Sequence, residues 1–482
     1  MSRSDIGEVA ASRRGCEDLA QEDISIDPAV IAGVLSRIYR GRYGKAGDKG
    51  IDRPLFEATH EVFNLATASG IAEAVNRGVP APSAQFLELL DRNNAIFSAF
   101  RTHKMQKDVA SLLLDNKGKI KKFADFKRDV TSVIGKYNGA WLRTEYATAV
   151  QRSRLATKWQ QFVDEADVFP NLEWMQSTAL HPGEDHRIFW YTVRPVNDPF
   201  WSHHRPGDRW NCQCDLRQTD LPPTDIPTIP IGDRKNSPAP GLDNNPGTDG
   251  VIFNDNHPYF PKNCTTCPFA NMGKKLMCLA RGGRGDCYEC LSVNSIVNRQ
   301  LYEEYKDNPE YRDVSYNNKS GGMKATSVGH NEASRNDYGK LCETKVQNWL
   351  YDNGHSCILL PEDIIGSDNN VVTALDAIIN GKVMDIKTIT EKPVNFEQNG
   401  YRNALNTKNK QLSRYYHQTG DRENCLFLYV PNTTDWIEDK LKLGWTNLNN
   451  FLRQEGRTNY IEYIYVLVNN ELHTYNCLEW VQ

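Results

Sequence analysis

The chain lacks any apolar run approaching the ~20 residues that a membrane-spanning helix needs, so no membrane association is expected. Residues 1–30 lack the basic-then-apolar pattern of a secretory signal, which points to the cytosol at synthesis. An excess of one charge is also missing. The 57 basic and 61 acidic residues leave a net charge of −4, which excludes a global basic field and confines any nucleic-acid contact to a local patch. Internal repeats are absent, which excludes a solenoid or a propeller. What is present is the composition of an ordinary folded protein, 39% hydrophobic and 24% charged over 482 residues. That length exceeds one typical domain of roughly 100–200 residues.

The pattern divides the chain. Residues 1–28 are polar and acidic and read as a flexible arm. Helical periodicity follows to about residue 168, with Val30, Val34, Leu35 and Ile38 on one stripe and Phe86, Leu87, Leu89 and Leu90 on another. Residues 141–163 form a long amphipathic helix in which Leu142, Tyr146, Val150 and Leu155 share a face. Beyond Phe169 and Pro170, segments 171–180 and 187–193 read as short strands. Residues 221–256 are rich in Pro, Gly, Asn and Asp and read as a linker. A cysteine-rich module over 257–315, a second linker over 316–326 and a last domain over 327–482 complete the chain. The expected class is multidomain α+β. It comprises a helical N-terminal region with a small β-containing core over 29–220, the cysteine module, and a C-terminal α/β domain.

Twelve cysteines are unevenly spread, five of them between Cys264 and Cys290. Cys264-x-x-Cys267 and Cys287-x-x-Cys290 are nineteen residues apart, a spacing that suits a zinc ribbon. Each knuckle turns two thiolates toward one tetrahedral ion, and structural Zn²⁺ would supply folding free energy that a short glycine-rich segment lacks. Upstream, Cys212, Cys214, His186, His203 and His204 are either metal ligands or parts of a core with small buried cysteines.

The last domain carries the densest pattern. Residues 340–353 form a helix with Leu341, Val346, Trp349 and Leu350 apolar and Gly354 at the C-cap position. Residues 356–360 read as a strand. A hairpin follows, with strands 373–379 and 382–389 about a two-residue Asn380-Gly381 turn. Period-two alternation sets Asp385 and Lys387 on one face and Met384 and Ile386 on the other. Asp376 on the partner strand can reach the same edge, and Glu343 on the preceding helix can lean over it. Paired carboxylates suit Mg²⁺ or Mn²⁺, hard ions that prefer oxygen. Such an ion polarises a phosphate and activates water, and a lysine stabilises the developing charge. The domain holds 15 basic and 20 acidic residues, a net of −5, so phosphate neutralisation must rest on a cluster such as Arg402, Lys408, Lys410 and Arg414.

Two resemblances follow from these motifs. Arg143–Glu145, His186, Phe200–Trp201 and Trp210–Cys214 occur in the order seen in the phage Mu F-like (SPP1-type) minor head proteins, with Pro206 alone where a paired proline is usual. This resemblance covers about 30–220 and implies a phage head morphogenesis protein, a minor capsid component of the virion head with portal and capsid proteins as partners. Glu343, Asp376 and Asp385-x-Lys387, with a downstream helix carrying Lys408, Lys410 and Gln411, resemble the PD-(D/E)XK nucleases. The nearest likeness is to C-terminal toxin domains of contact-dependent inhibition systems, which include tRNA nucleases. Leu375 stands at the position of the superfamily's proline. The resemblance implies a metal-dependent endonuclease in which Asp376 and Asp385 bind metal, Glu343 assists and Lys387 is catalytic. Lys408, Lys410 and Gln411 would contact a tRNA or other nucleic-acid substrate. It also implies an immunity protein as partner, and action in a target-cell cytoplasm after synthesis in a bacterial one. The competing expectation is a purely structural head protein with a non-catalytic tail.

Overall fold

A computed structural model of the chain describes residues 24–41, 51–179, 182, 184, 186–229, 235–270, 287–288, 290–331, 338–365, 371–393, 395–420 and 422–480. The chain is a mixed α+β protein of two compact units, 1–293 and 294–482. Among the described residues no helix is long and apolar enough to cross a membrane.

Among the described residues, the long helices of the first unit are α1 (Pro28–Tyr39), α2 (Arg53–Asn76), α3 (Ala84–Ala110), α4 (Phe123–Gly135) and α5 (Trp141–Asp164). Their starts are written locally. Asp27 and Asp52 accept from Ala29 and Leu55 N–H groups and are followed by prolines in the first turn. α2 and α5 cross closely at Gly70, where an added Cβ would lie 2.1 Å from the Val150 carbonyl oxygen. Most of the expected arm falls outside the described residues, but its end is held. Ile26 is buried, and Asn138 hydrogen-bonds both its N–H and its carbonyl.

A small antiparallel sheet of β1 (Asn171–Met175), β2 (Val193–Pro195) and β3 (Asp215–Thr219), in the order β2-β1-β3, packs on Trp159 and Phe162 of α5. Two expected strand ranges need correction. The first strand stops at Met175. The aromatic segment at 187–193 is a 3-10 turn (Arg187–Phe189) followed by Tyr191 at φ 66°, a left-handed backbone that no strand accommodates. Of the linker expected over 221–256, residues 221–229 are mostly exposed, whereas the stretch over 239–256 is docked. Leu242, Ile252 and Phe253 are buried, Phe253 stacks on Phe97 at 4.3 Å, and the buried Arg152 donates to the carbonyls of Ile252, Gly207, Leu242 and Asn244.

The second unit contains an eight-stranded mixed sheet in the order β13-β12-β11-β10-β9-β6-β5-β4. Its strands are β4 (Tyr311–Tyr316), β5 (Met323–Ser327), β6 (Ser356–Leu359), β9 (Ala377–Ile379), β10 (Lys382–Thr388), β11 (Cys425–Val430), β12 (Tyr463–Val468) and β13 (Glu471–Asn476). β7 (Asp363–Ile365) and β8 (Val371–Thr373) form a separate ribbon. The stretch expected as a second linker, 316–326, holds the end of β4, a hairpin turn closed by Asn317 N–H on the Gly322 carbonyl, and most of β5.

α6 (Leu291–Tyr305) sends Leu301, Tyr302 and Tyr305 against β5. α7 (Tyr338–Asp352) lays Val346 and Leu350 on the sheet face carrying Met384 and Ile386. α8 (Arg402–Thr419) and α9 (Glu438–Gln454) cover the other face with Leu405, Leu412, Leu441 and Trp445. Both are crossovers into parallel neighbours, from β10 to β11 and from β11 to β12. The Asn380-Gly381 turn is present, with φ of 50° and 81° as a type I′ turn demands. The strand expected over 373–379 is interrupted. Thr373 ends β8, Ala377 begins β9, and Asp376 occupies the bend between them.

Candidate functional site

The hairpin register fixes the centre of the site. Ala377 pairs with Met384, so Asp376 and Asp385 face each other one step further along. Asp376 Oδ2 accepts from Ile386 N–H at 2.7 Å, which pins the carboxylate to the edge of β10. Asp385 has 0% exposure. Its charge is met from α8: Lys408 Nζ lies 2.6 Å from Oδ2, though off hydrogen-bond alignment, and Gln411 Nε2 donates to Oδ1 at 3.2 Å. Lys408 also donates to Gln411 Oε1 at 3.3 Å, closing a ring of three side chains. Burial, then the facing Asp385 carboxylate, hold Asp376 well above the usual carboxylate range against the pull of Lys408.

Glu343 on α7 is buried and belongs to a neighbouring network. Its Oε2 is 3.1 Å from Lys340 Nζ and 3.4 Å from His330 Nε2, and Lys340 also meets Glu362 at 2.6 Å. Burial pushes the Glu343 carboxyl up, but the His330 and Lys340 contacts outweigh it and hold the group below its ordinary value. Glu343 is near enough to raise Asp376 electrostatically. It does not join the two aspartates in a set of three ligand atoms within 4.8 Å among the described residues.

Lys387 shares the Asp385 face of β10, is half-buried and has no ion pair with a described residue. Among the helix residues, Lys408 and Gln411 turn inward to Asp385. Lys410 is exposed, because two residues along a helix is a rotation of about 200°. The expected basic cluster is thinner than the sequence suggests. Lys408 is engaged by Asp385, Arg402 stacks on Phe451 at 4.7 Å, and Lys410 and Arg414 alone are exposed.

Two carboxylates held together by backbone register, with one of their oxygens hydrogen-bonded to Ile386 N–H, make an oxygen donor pair of the kind a hard divalent ion takes. The donor chemistry therefore fits Mg²⁺ or Mn²⁺, with Lys408 as the competing charge.

In the first unit the four expected zinc cysteines are all buried, and each Cys-x-x-Cys closes a turn, Cys267 N–H on Cys264 O and Cys290 N–H on Cys287 O. Burial pushes the Cys267 thiol up, with Cys290 and Cys264 adding to it. Cys278 lies outside the described residues. The four do not supply three sulfurs within 4.8 Å of one another. Among the described residues one group meets that limit, His186 with Cys212 and Cys214, and it can hold a metal ion.

His186 Nδ1 is 3.2 Å from Cys212 Sγ and 3.7 Å from Cys214 Sγ, and Nε2 is 2.7 Å from Asp208 Oδ1. The hydrogen bond with Cys212 outweighs burial and, with His186, brings Cys214 down to about 5. Burial lowers His186, but Asp208 and Cys214 outweigh it and bring it up to about 9. Asp208 is the partner that sequence reasoning misses: an aspartate after a Pro-Gly turn carries no signal of its own. Lys340 and His330 are also missed, although Lys340 stands three residues before Glu343, the spacing of one helix face. No family model, curated protein or solved structure matches the chain.

Proposed function

We propose that the chain joins a phage-type minor head unit to a metal-dependent endonuclease effector that cleaves RNA, with tRNA-like molecules as substrates. The observation that carries the enzymatic half is the Asp376–Asp385 pair, set opposite each other by the hairpin register and attended by Lys408 and Gln411. On this reading Asp376 and Asp385 hold Mg²⁺ or Mn²⁺, which would supply polarisation of the scissile phosphate and a water of lowered pKa. Lys387 stabilises charge developing on the phosphate from the same strand face. Lys408 and Gln411 position Asp385, and the exposed Lys410 with Arg414 takes the nucleic-acid backbone. Glu343 assists from a distance, through the field it adds at Asp376.

The head half is supported by its motif and by the convergence of that motif's residues. His186, Phe200, Trp201 and Cys214 come together around Trp174 in one core. With it come portal and capsid proteins as partners, a place in the virion head, delivery to a target-cell cytoplasm and an immunity protein that meets the acidic nuclease surface. Structural Zn²⁺ at Cys264, Cys267, Cys287 and Cys290 is supported by spacing and burial alone.

The test is the full chain, incubated with total RNA, purified tRNA and plasmid with and without Mg²⁺, beside Asp385→Ala and Lys387→Ala. RNA fragments with defined ends that need Mg²⁺ and both side chains are expected. Absence of cleavage in every condition removes the nuclease. A second reading, a purely structural head protein with a non-catalytic tail, is favoured by one observation: Lys408 already compensates a carboxylate that has no exposed surface. The same assay separates the two.

A further inference from the structure

We propose that the first unit carries a zinc site made by His186, Cys212 and Cys214, with Asp208 as the carboxylate that orients the histidine. The proposal is independent of the nuclease reading, since these residues lie in the other unit. Its first support is distance. Zn–S bonds of about 2.3 Å and Zn–N bonds of about 2.0–2.1 Å at a tetrahedral centre place nitrogen and sulfur roughly 3.6 Å apart. The observed separations from His186 Nδ1 are 3.2 and 3.7 Å, and all three ligand atoms lie within 4.8 Å. Two thiolates and an imidazole are the borderline-soft donors that zinc selects.

The second support is the shell behind the ligands. With Nε2–H donated to Asp208 Oδ1 at 2.7 Å, the His186 lone pair on Nδ1 is aimed at the two sulfurs. That is the carboxylate–histidine–metal arrangement that fixes tautomer and ring orientation. Asp208 is itself fixed, accepting from Arg205 N–H through Oδ2 at 3.2 Å. Cys212 Sγ accepts from the Cys214 backbone N–H at 3.4 Å, which holds this sulfur beside His186 Nδ1. The buried Trp174 Nε1–H has no aligned hydrogen-bond partner and sits beside Cys214.

The third support is position. His186 opens the 3-10 turn and Cys212 and Cys214 lead into β3, so one ion would tie two loops together and add folding free energy. Cys212 is the least buried of the three ligands.

The experiment uses the full chain, expressed with added zinc, purified under reducing conditions without chelator, and assayed for metal per chain by elemental analysis. A variant with Cys264, Cys267, Cys287 and Cys290 all changed to Ser removes the other candidate thiols and is expected to retain one zinc. In the wild-type background the zinc content is expected to fall by one equivalent on Cys212→Ser, Cys214→Ser or His186→Gln. Cobalt exchange of the unaltered protein should give a thiolate-to-cobalt charge-transfer band that weakens in the two serine variants. This reading survives a misfolded variant, because wild-type protein without zinc overturns the proposal outright. Zinc content indifferent to Cys212, Cys214 and His186 in folded variants overturns it too, as does a Cys212–Cys214 disulfide in place of metal.

Discussion

Replacing Asp376 by Asn separates the two demands made on the acid pair. The amide keeps an oxygen for the Ile386 N–H, now accepted by Asp376 at 2.7 Å, and deletes one of two facing negative charges. In the wild type that charge is opposed by burial and by Asp385, with Lys408 compensating in part. Two like charges ~4 Å apart repel by about 4 kcal/mol at an effective dielectric of 20, and the lysine offsets part of that. A gain of about 0.5–2 kcal/mol is the scale that removing such a site strain returns, which for a unit of this size is a rise in Tm of a few degrees.

The sign against pH is fixed by the direction of the shift. Because the Asp376 carboxyl is raised in the folded state, its neutral form contributes stability below the ordinary value of 3.8. That stability is lost as pH rises through the higher folded value. Metal-free wild type should therefore lose stability with rising pH across the acid range, and the Asn variant should lack that component. Thermal unfolding in chelator from pH 4 to 8, followed by the Mg²⁺-dependent RNA assay, reads both demands. The variant should be more stable and inactive. A variant less stable than wild type with an unchanged pH profile would refute the repulsion on which this reasoning stands.

Lys408→Met leaves Asp385 buried without a compensating charge and should cost about 3–5 kcal/mol, measurable by denaturant unfolding; Lys410→Met, at an exposed position, should stay within about 0.5 kcal/mol. Changing Lys410 and Arg414 together to Ala should lower RNA affinity and reduce the salt dependence of binding by a slope of about 1–2, read by titration at several salt concentrations. Gly70→Ala drives a methyl into the Val150 carbonyl and should destabilise the first unit by at least ~1–3 kcal/mol, seen as a lowered Tm.

The sequence makes the hairpin readable because everything that specifies it is local: two residues that accept positive φ, and alternating apolar positions on either side. It also exposes the pairing of Asp376 with Asp385, since register follows from a two-residue turn. β11 and β12 carry no such signal. Both are covered on two faces, so CLFLYV and YIYVLV are continuous apolar runs without the alternation that marks a half-buried strand. The later part of the expected linker, over 239–256, misleads for a different reason. Its Pro, Gly and Asn content does produce irregular backbone, but Arg152 needs just such free carbonyls, and a partner one hundred residues away leaves no trace in local composition. Which of Lys408 and Lys410 turns inward is decided by Leu405 and Leu412, whose spacing places Lys408 on the buried face.

The position of the acid pair bears on why it exists. β10 lies between β9 and β11 with helices over both faces, so a carboxylate there is withdrawn from water whichever way it points. Apolar side chains in place of a buried ion pair are often neutral or more stabilising by about 1–4 kcal/mol. A sheet under no other demand therefore gains by losing Asp385 and Lys408 together. What surrounds Asp385 instead is a lysine, a glutamine and a second carboxylate at the bend where β8 ends, partly open to solvent. Such an arrangement suits exchange of one positive charge for another. On the proposed reading Lys408 also sets the threshold: a monovalent ion offers no more charge than the ammonium it must displace, whereas a divalent ion offers twice as much. Mg²⁺ and Mn²⁺ should accordingly raise the Tm of the wild type by mass action. K⁺ at the same ionic strength should not, and Asp385→Asn should abolish the difference. An equal response to both ions would mean that the pair is screened and not occupied.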